Sequence, residues 1–168
     1  MYKVLLFLAC WLLFPFSGGL RAGEVEIPNR IGQAKVGEWV SYSLSNDMQR
    51  KFTVLGFEEK AGGRHVTIRS ETLMNKVVIK ESETSHPVSN ANIMLRKYAD
   101  ANLTQRNDTI EVKGEPLDVI IVSGVKDGLP FTIYTSGKIP VFGLVRMDLM
   151  GEEFFSVHEF GYGDGVVN

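Results

Sequence analysis

Apolar and polar residues alternate along much of the chain after its first 37 positions. The segment EWVSYSLS, residues 38–45, places three apolar side chains on one side of the backbone: Val40, Tyr42 and Leu44. The segment RHVTIRSE, residues 64–71, does the same with Val66 and Ile68. A period of two is typical of a β-strand that buries one face. The pattern therefore predicts strands at both places.

Further alternating or apolar segments recur to the end of the chain, separated by turn residues. The strongest turn signals are the glycine-containing sites at Ala61–Gly63, Gly114, Asp127–Gly128 and Gly151. Short strands at this spacing favour an antiparallel meander. The sequence predicts a mainly β protein with a single antiparallel, strongly curved sheet or half-barrel of about eight to ten strands. A closed β-barrel is the alternative.

The middle of the chain departs from this alternation. Four apolar residues follow one another at helical spacing: Ala91, Met94, Leu95 and Tyr98. Ser89 or Asn90 precedes them and is of a type that caps helices. The spacing predicts one short helix packed on the sheet, with a long loop as the alternative.

The last hairpin, residues 137–161, has apolar residues on both of its faces. Val145, Met147 and Leu149 alternate on one face of its first strand, and Phe155 and Val157 continue one face of its second. The remaining large side chains are then expected on a second surface, which we predict to be ligand-binding: Leu144, Met150, Phe154, His158 and Phe160. Pockets are mostly apolar with a few polar groups, so His158 is expected to orient a ligand head group.

Three explanations remain open for what covers this second apolar surface. Contiguous exposed apolar patches are uncommon in soluble monomers, so some cover is expected. The predicted helix around Met94 and Leu95 could pack on it, an apolar ligand could occupy it, or a partner protein could dock there.

The first 22 residues have the pattern of a secretory signal peptide. Lys3 supplies the positive start, an apolar run follows, and small residues mark the exit. The run is too short for a typical membrane-spanning helix, so no stable span is expected once it is removed. Cys10, the only cysteine in the chain, lies inside this run. Residues 23–168 are therefore expected to form a single β-rich, cysteine-free domain without disulfides.

Charge and motifs exclude several function classes. The formal net charge is −2, and no cluster of lysine and arginine predicts nucleic-acid binding. The three histidines lack the H-E-x-x-H spacing of a metal site, and IIVSGV does not fit the G-x-S-x-G nucleophile pattern. We therefore expect a protein with no catalytic residues, no metal ligands and no cofactor.

Two stretches carry a family resemblance. AKVGEWVSYSLS, residues 34–45, and YTSGKIPVFGLVRMDL, residues 134–149, resemble small, largely uncharacterised exported bacterial β-rich proteins with a VGEWVxY opening and a late VPVxGLVK-like segment. Ile139 and Arg146 are conservative departures from that pattern. The predicted sheet and helix are more distantly similar to the periplasmic lipoprotein-carrier fold, which holds acyl chains in an apolar concavity.

Together these observations predict an exported protein, periplasmic if the host is a Gram-negative bacterium. The expected function is non-enzymatic binding of an apolar ligand, a lipid or an acylated peptide, on the concave face of the sheet. The alternative is a cell-envelope protein–protein interaction module that uses the same face.

Overall fold

The computed structural model describes residues 30–45, 47–88 and 102–162. These residues form nine strands: β1 (Trp39–Ser45), β2 (Met48–Lys60), β3 (Gly63–Met74), β4 (Val77–Pro87), β5 (Thr104–Val112), β6 (Glu115–Lys126), β7 (Leu129–Thr135), β8 (Leu144–Leu149) and β9 (Glu152–Gly161). Within the described residues the one helical element is a single 3-10 turn, Ile31–Gln33. The predicted mainly β class is confirmed.

All nine strands belong to one antiparallel sheet, as the alternation predicts. Their order across the sheet is β4-β3-β2-β1-β9-β8-β7-β6-β5. Neighbours in the sheet are neighbours in the chain, except at the centre, where β1 pairs with β9. The fold therefore consists of two hairpin ladders that are joined along one central seam.

The predicted strong curvature of the sheet is wrong, and so is the alternative of a closed barrel. β4 and β5 occupy the two edges of the sheet and do not pair with each other, and the sheet is neither closed nor strongly curled. A barrel requires the two edge strands to hydrogen-bond to one another. Here both outer strands are exposed along nearly their whole lengths, so no continuous buried surface extends to the edges.

Two other predictions fall outside the described residues. The helix predicted around Ala91, Met94, Leu95 and Tyr98 lies there, as does the signal peptide of residues 1–22 with Cys10. Both stay predictions. No helix among residues 30–45, 47–88 and 102–162 is long and apolar enough to cross a membrane.

The hydrophobic core draws on the inner strands and on the loop of residues 136–143 between β7 and β8. Val40, Val54 and Val66 are almost completely buried in β1, β2 and β3. In the loop, Ile139 and Val141 are completely buried. Pro140 is buried beside them. The loop is therefore part of the core.

The backbone of this loop is held in an unusual conformation. The Ser136 amide donates to the Gly143 carbonyl at 2.7 Å and closes the loop. Val141 has φ 65°, a left-handed conformation that is a genuine outlier for a β-branched residue. Such backbone persists only where the surroundings over-determine it, and the complete burial of the Val141 side chain supplies that constraint.

A buried ion pair lies between the 3-10 turn and the start of β1. Arg30 Nη2 is 3.1 Å from Glu38 Oε1, and the two side chains are 9% and 3% exposed. Arg30 Nε and Glu38 Oε2 have no hydrogen-bond partner within the described part of the chain. A Cβ atom on Gly143 would lie 3.4 Å from Arg30 Cβ, so the pair is close to the loop of residues 136–143.

The central seam allows no side chain at the end of β9. Gly161 pairs with Trp39, and a Cβ atom at position 161 would lie 2.5 Å from Trp39 Nε1. On the same ring, Lys51 Nζ lies 4.8 Å from the indole centroid. Glycine is therefore needed at 161 because the indole packs directly on the backbone of β9.

Candidate binding groove

An apolar groove lies over the middle of the sheet and has a volume of about 320 Å³. Five strands contribute to it: β1, β2, β7, β8 and β9. The lining residues are Tyr42, Leu44, Arg50, Phe52, Ile133, Leu144, Met147, Phe154 and Phe155. The volume falls at the lower end of the range for small-molecule sites.

The floor of the groove is part of the packed core. The ring of Tyr42 packs edge-on against Phe155 at 5.2 Å and against Phe52 at 6.1 Å between ring centroids. Its hydroxyl donates a hydrogen bond to the Leu144 carbonyl at 3.2 Å. Burial raises the pKa of the Tyr42 hydroxyl, so the group stays a neutral donor. The floor is therefore apolar and fixed in shape.

Two irregularities in β9 decide which of its side chains reach the groove. Glu153 pairs with Asp148 while Phe155 pairs with Met147, so Phe154 is an extra residue in the ladder. Glu159 pairs with Ser41 while Val157 pairs with Tyr42, so His158 is a second extra residue. Because a bulge re-aims the side chains around it, Phe154 and Phe155 both line the groove although they are adjacent.

The five residues predicted to share one surface are only partly brought together. Leu144 and Phe154 line the groove, whereas Met150, His158 and Phe160 do not. Met150 lies in the turn before β9 with φ 56° and is 68% exposed. Phe160 pairs with Val40 across the seam and packs its ring against Tyr162 instead. Strict alternation had placed all five on one face, and the two bulges in β9 remove that regularity.

Arg50 is the one charged residue among the nine that line the groove, and it is among the seven of them that the sequence did not predict as ligand-binding. Strand β2 begins at Met48, so Arg50 lies in the strand, two residues before Phe52 and on the same face. The sequence does carry a signal for this position: the period of two at Phe52 and Val54 continues backwards to Arg50. Its Nε donates to Ser70 Oγ at 3.0 Å, and its guanidinium carbon lies 5.2 Å from the Phe52 ring centroid.

A second hollow, of about 340 Å³, is lined in part by polar groups that already bind one another or their neighbours. Arg146 Nε lies 2.5 Å from Asp148 Oδ1, and the Tyr134 hydroxyl donates to Asp148 Oδ2 at 3.3 Å. The hydrogen bond to Asp148 raises the pKa of Arg146, and burial raises the pKa of Tyr134. Glu153 also approaches Arg146, at 3.5 Å. Asp148 and Glu153 therefore balance the charge of Arg146, and we interpret these residues as a structural network.

A third hollow, of about 700 Å³, is wide and lies against strands β5, β6 and the end of β7. Asn107, Asp108, Thr109 and Asp118 contribute to its wall, and the Thr109 hydroxyl donates to Asp118 Oδ1 at 3.0 Å. It lacks the apolar floor of the smaller groove. We therefore take the groove around Tyr42 as the candidate site.

Comparisons with known proteins place no constraint on this site. No model of a known protein family matches the chain, and no curated protein matches its sequence. Within residues 30–45, 47–88 and 102–162, no group of three histidine, aspartate or glutamate side chains could hold a metal ion. The lining residues alone therefore indicate what the groove can bind.

Proposed function

We propose that this protein is a non-enzymatic exported protein that binds an apolar ligand, a lipid or an acylated peptide, in the groove around Tyr42. The observation that carries the proposal is the combination of a fixed apolar floor with a half-exposed aromatic side chain at its side, Phe154. Export rests on the signal-like sequence of residues 1–22.

The packing of the groove supports this use. Phe155 and Met147 are buried in its floor, so the site exists before a ligand enters and little ordering is required on binding. Phe154 remains 52% exposed and makes a ring contact with Phe155 at 6.0 Å. A ligand that covers this ring removes apolar surface from water, which is the main source of affinity for an apolar molecule.

Binding of decan-1-ol to the purified mature protein, followed by calorimetry, tests the proposal. We expect saturable binding of one molecule, and Phe154→Ala should weaken it about fivefold because roughly 1 kcal/mol of ring burial is lost. Phe160→Ala is the matched control, since this ring lies on the same strand outside the groove and should leave the affinity unchanged. Absence of saturable binding, or equal losses in both variants, would contradict the proposal.

A second candidate is docking of a cell-envelope protein on the same region. Exposure favours it, because Phe154 and Phe160 are 52% and 37% exposed and apolar patches mark interaction sites. A photoreactive phenylalanine analogue at position 160 should then give one discrete cross-linked product in cells. A ligand-binding protein without a partner should give none, and the same analogue at the exposed Val77, on the edge strand β4, controls for chance encounters.

A further inference from the structure

We propose that the groove selects a single-chain amphiphile whose anionic head group, a carboxylate or a phosphate, binds Arg50. This inference rests on the proposed function, because it names the ligand class for the same groove. The inference adds two things to the proposed function. It assigns the polar contact with the ligand to Arg50, on β2, and it sets an upper size for the apolar part of the ligand.

The charges of the lining residues support the choice of an anion. Arg50 is the only ionisable side chain with a permanent charge among the nine lining residues, and no carboxylate lines the groove. Within the described residues, Arg50 forms no ion pair with an aspartate or glutamate. A ligand cation would therefore meet a like charge, whereas an anion would find a free partner.

The position of the guanidinium supports its use as an anion site. One nitrogen, Nε, is engaged by Ser70 Oγ at 3.0 Å, and the group lies beside the Phe52 ring. These two contacts restrict the side chain while leaving the terminal Nη atoms for a ligand. A guanidinium presents its donors as a planar fork that matches the oxygens of a carboxylate or phosphate.

The volume of the groove limits the apolar part of the ligand. About 320 Å³ accommodates about ten heavy atoms if each takes roughly 30 Å³, the share of one water molecule in the liquid. A single chain of about ten carbons fills this space. A phospholipid carries two longer chains, whose combined volume exceeds that of the groove.

Comparison of decanoate with decan-1-ol, below the concentrations at which they form micelles, tests the role of Arg50. We expect the protein to bind decanoate about tenfold more tightly, the lower end for a charge-assisted hydrogen bond, because Arg50 is solvent-exposed. Arg50→Gln should abolish this preference, so that the variant binds decanoate no more tightly than decan-1-ol. Decyl phosphate in parallel distinguishes a phosphate head group from a carboxylate by its relative affinity.

Lys51→Gln is the matched control for the loss of one positive charge. Lys51 follows Arg50 in β2, so its side chain points to the opposite face, where it lies over Trp39. Decanoate binding should survive this change. If wild type binds decan-1-ol and decanoate equally, or if Lys51→Gln has the effect of Arg50→Gln, the head-group inference fails while the proposed function stands. If no ligand binds, the proposed function itself fails.

A series of carboxylates from hexanoate to tetradecanoate tests the size limit. Affinity should rise about fourfold per added methylene, since each buried CH₂ contributes roughly 0.8 kcal/mol. The rise should stop at about ten carbons, where the groove is full. A continued rise to tetradecanoate, or tighter binding of a two-chain phospholipid than of decanoate, would overturn the single-chain assignment.

Discussion

Replacing Glu38 with glutamine is expected to lower the free energy of unfolding by about 3–5 kcal/mol, the usual cost of breaking a buried ion pair on one side. The Arg30 guanidinium would remain buried with no compensating negative charge, and one of its nitrogens already lacks a partner within the described residues. Urea unfolding followed by the fluorescence of Trp39 measures the change.

Two further variants separate a buried charge effect from a general loss of charge. Glu58→Gln removes one partner of an exposed ion pair with Lys60 and should leave the unfolding free energy nearly unchanged. The double variant Arg30→Met with Glu38→Leu removes both buried charges and should be more stable than Glu38→Gln alone. A double variant that is less stable than the single one would show that the hydrogen bond itself, rather than the orphaned charge, governs this site.

Phe155→Ala is expected to cost about 3–5 kcal/mol of stability, the usual loss for removing a buried phenylalanine. Phe155 is 7% exposed, packs against Tyr42 and pairs with Met147 in β8, so its loss leaves a cavity in the core. Thermal or urea unfolding checks the value.

The neighbouring substitution Phe154→Ala is the matched control for this prediction. The same truncation one residue earlier removes a ring that is half exposed, and its cost should stay near 1 kcal/mol or less. Strict alternation would also make one ring buried and the other exposed, but it would place them on opposite faces. Comparable stability losses in the two variants would contradict the arrangement in which Phe154 flanks the groove and Phe155 forms its floor.

Much of the fold was predictable because the dominant physical signal is local. The alternation in β1 around Val40 and Tyr42 and in β3 around Val66 and Ile68 follows directly from burial of one strand face. The turns at Asp127–Gly128 and Gly151 have positive φ, which glycine adopts without strain. These features are decided by residues that are close in sequence, so one sequence is enough to find them.

The curvature and the site were harder to predict because they depend on distant partners. Whether β4 meets β5 is a property of the whole sheet, and no residue in either strand encodes it. The bulges at Phe154 and His158 arise where β9 adjusts to two different neighbours, and an alternating pattern contains no mark of them. Arg50 faces the groove because β2 begins as early as Met48. Periodicity defines the ends of strands poorly, so this start was not predictable.

The burial of the ion pair between Arg30 and Glu38 was also not predictable from the sequence. Charged residues near a chain start are ordinarily solvated, and this pair is buried because the loop of residues 136–143 lies against it. The burial of this loop depends on contacts with residues more than a hundred positions earlier, as in the close approach of Gly143 to Arg30.

The seam between β1 and β9 sets an order of events for the newly made chain. Each hairpin ladder can form from neighbouring segments, but Trp39 has its partner only once Gly161 is available. Contacts between such distant residues are slow to form because chain closure must precede them. Until then β1 and β9 are both open edges, so we expect the centre of the sheet to assemble last.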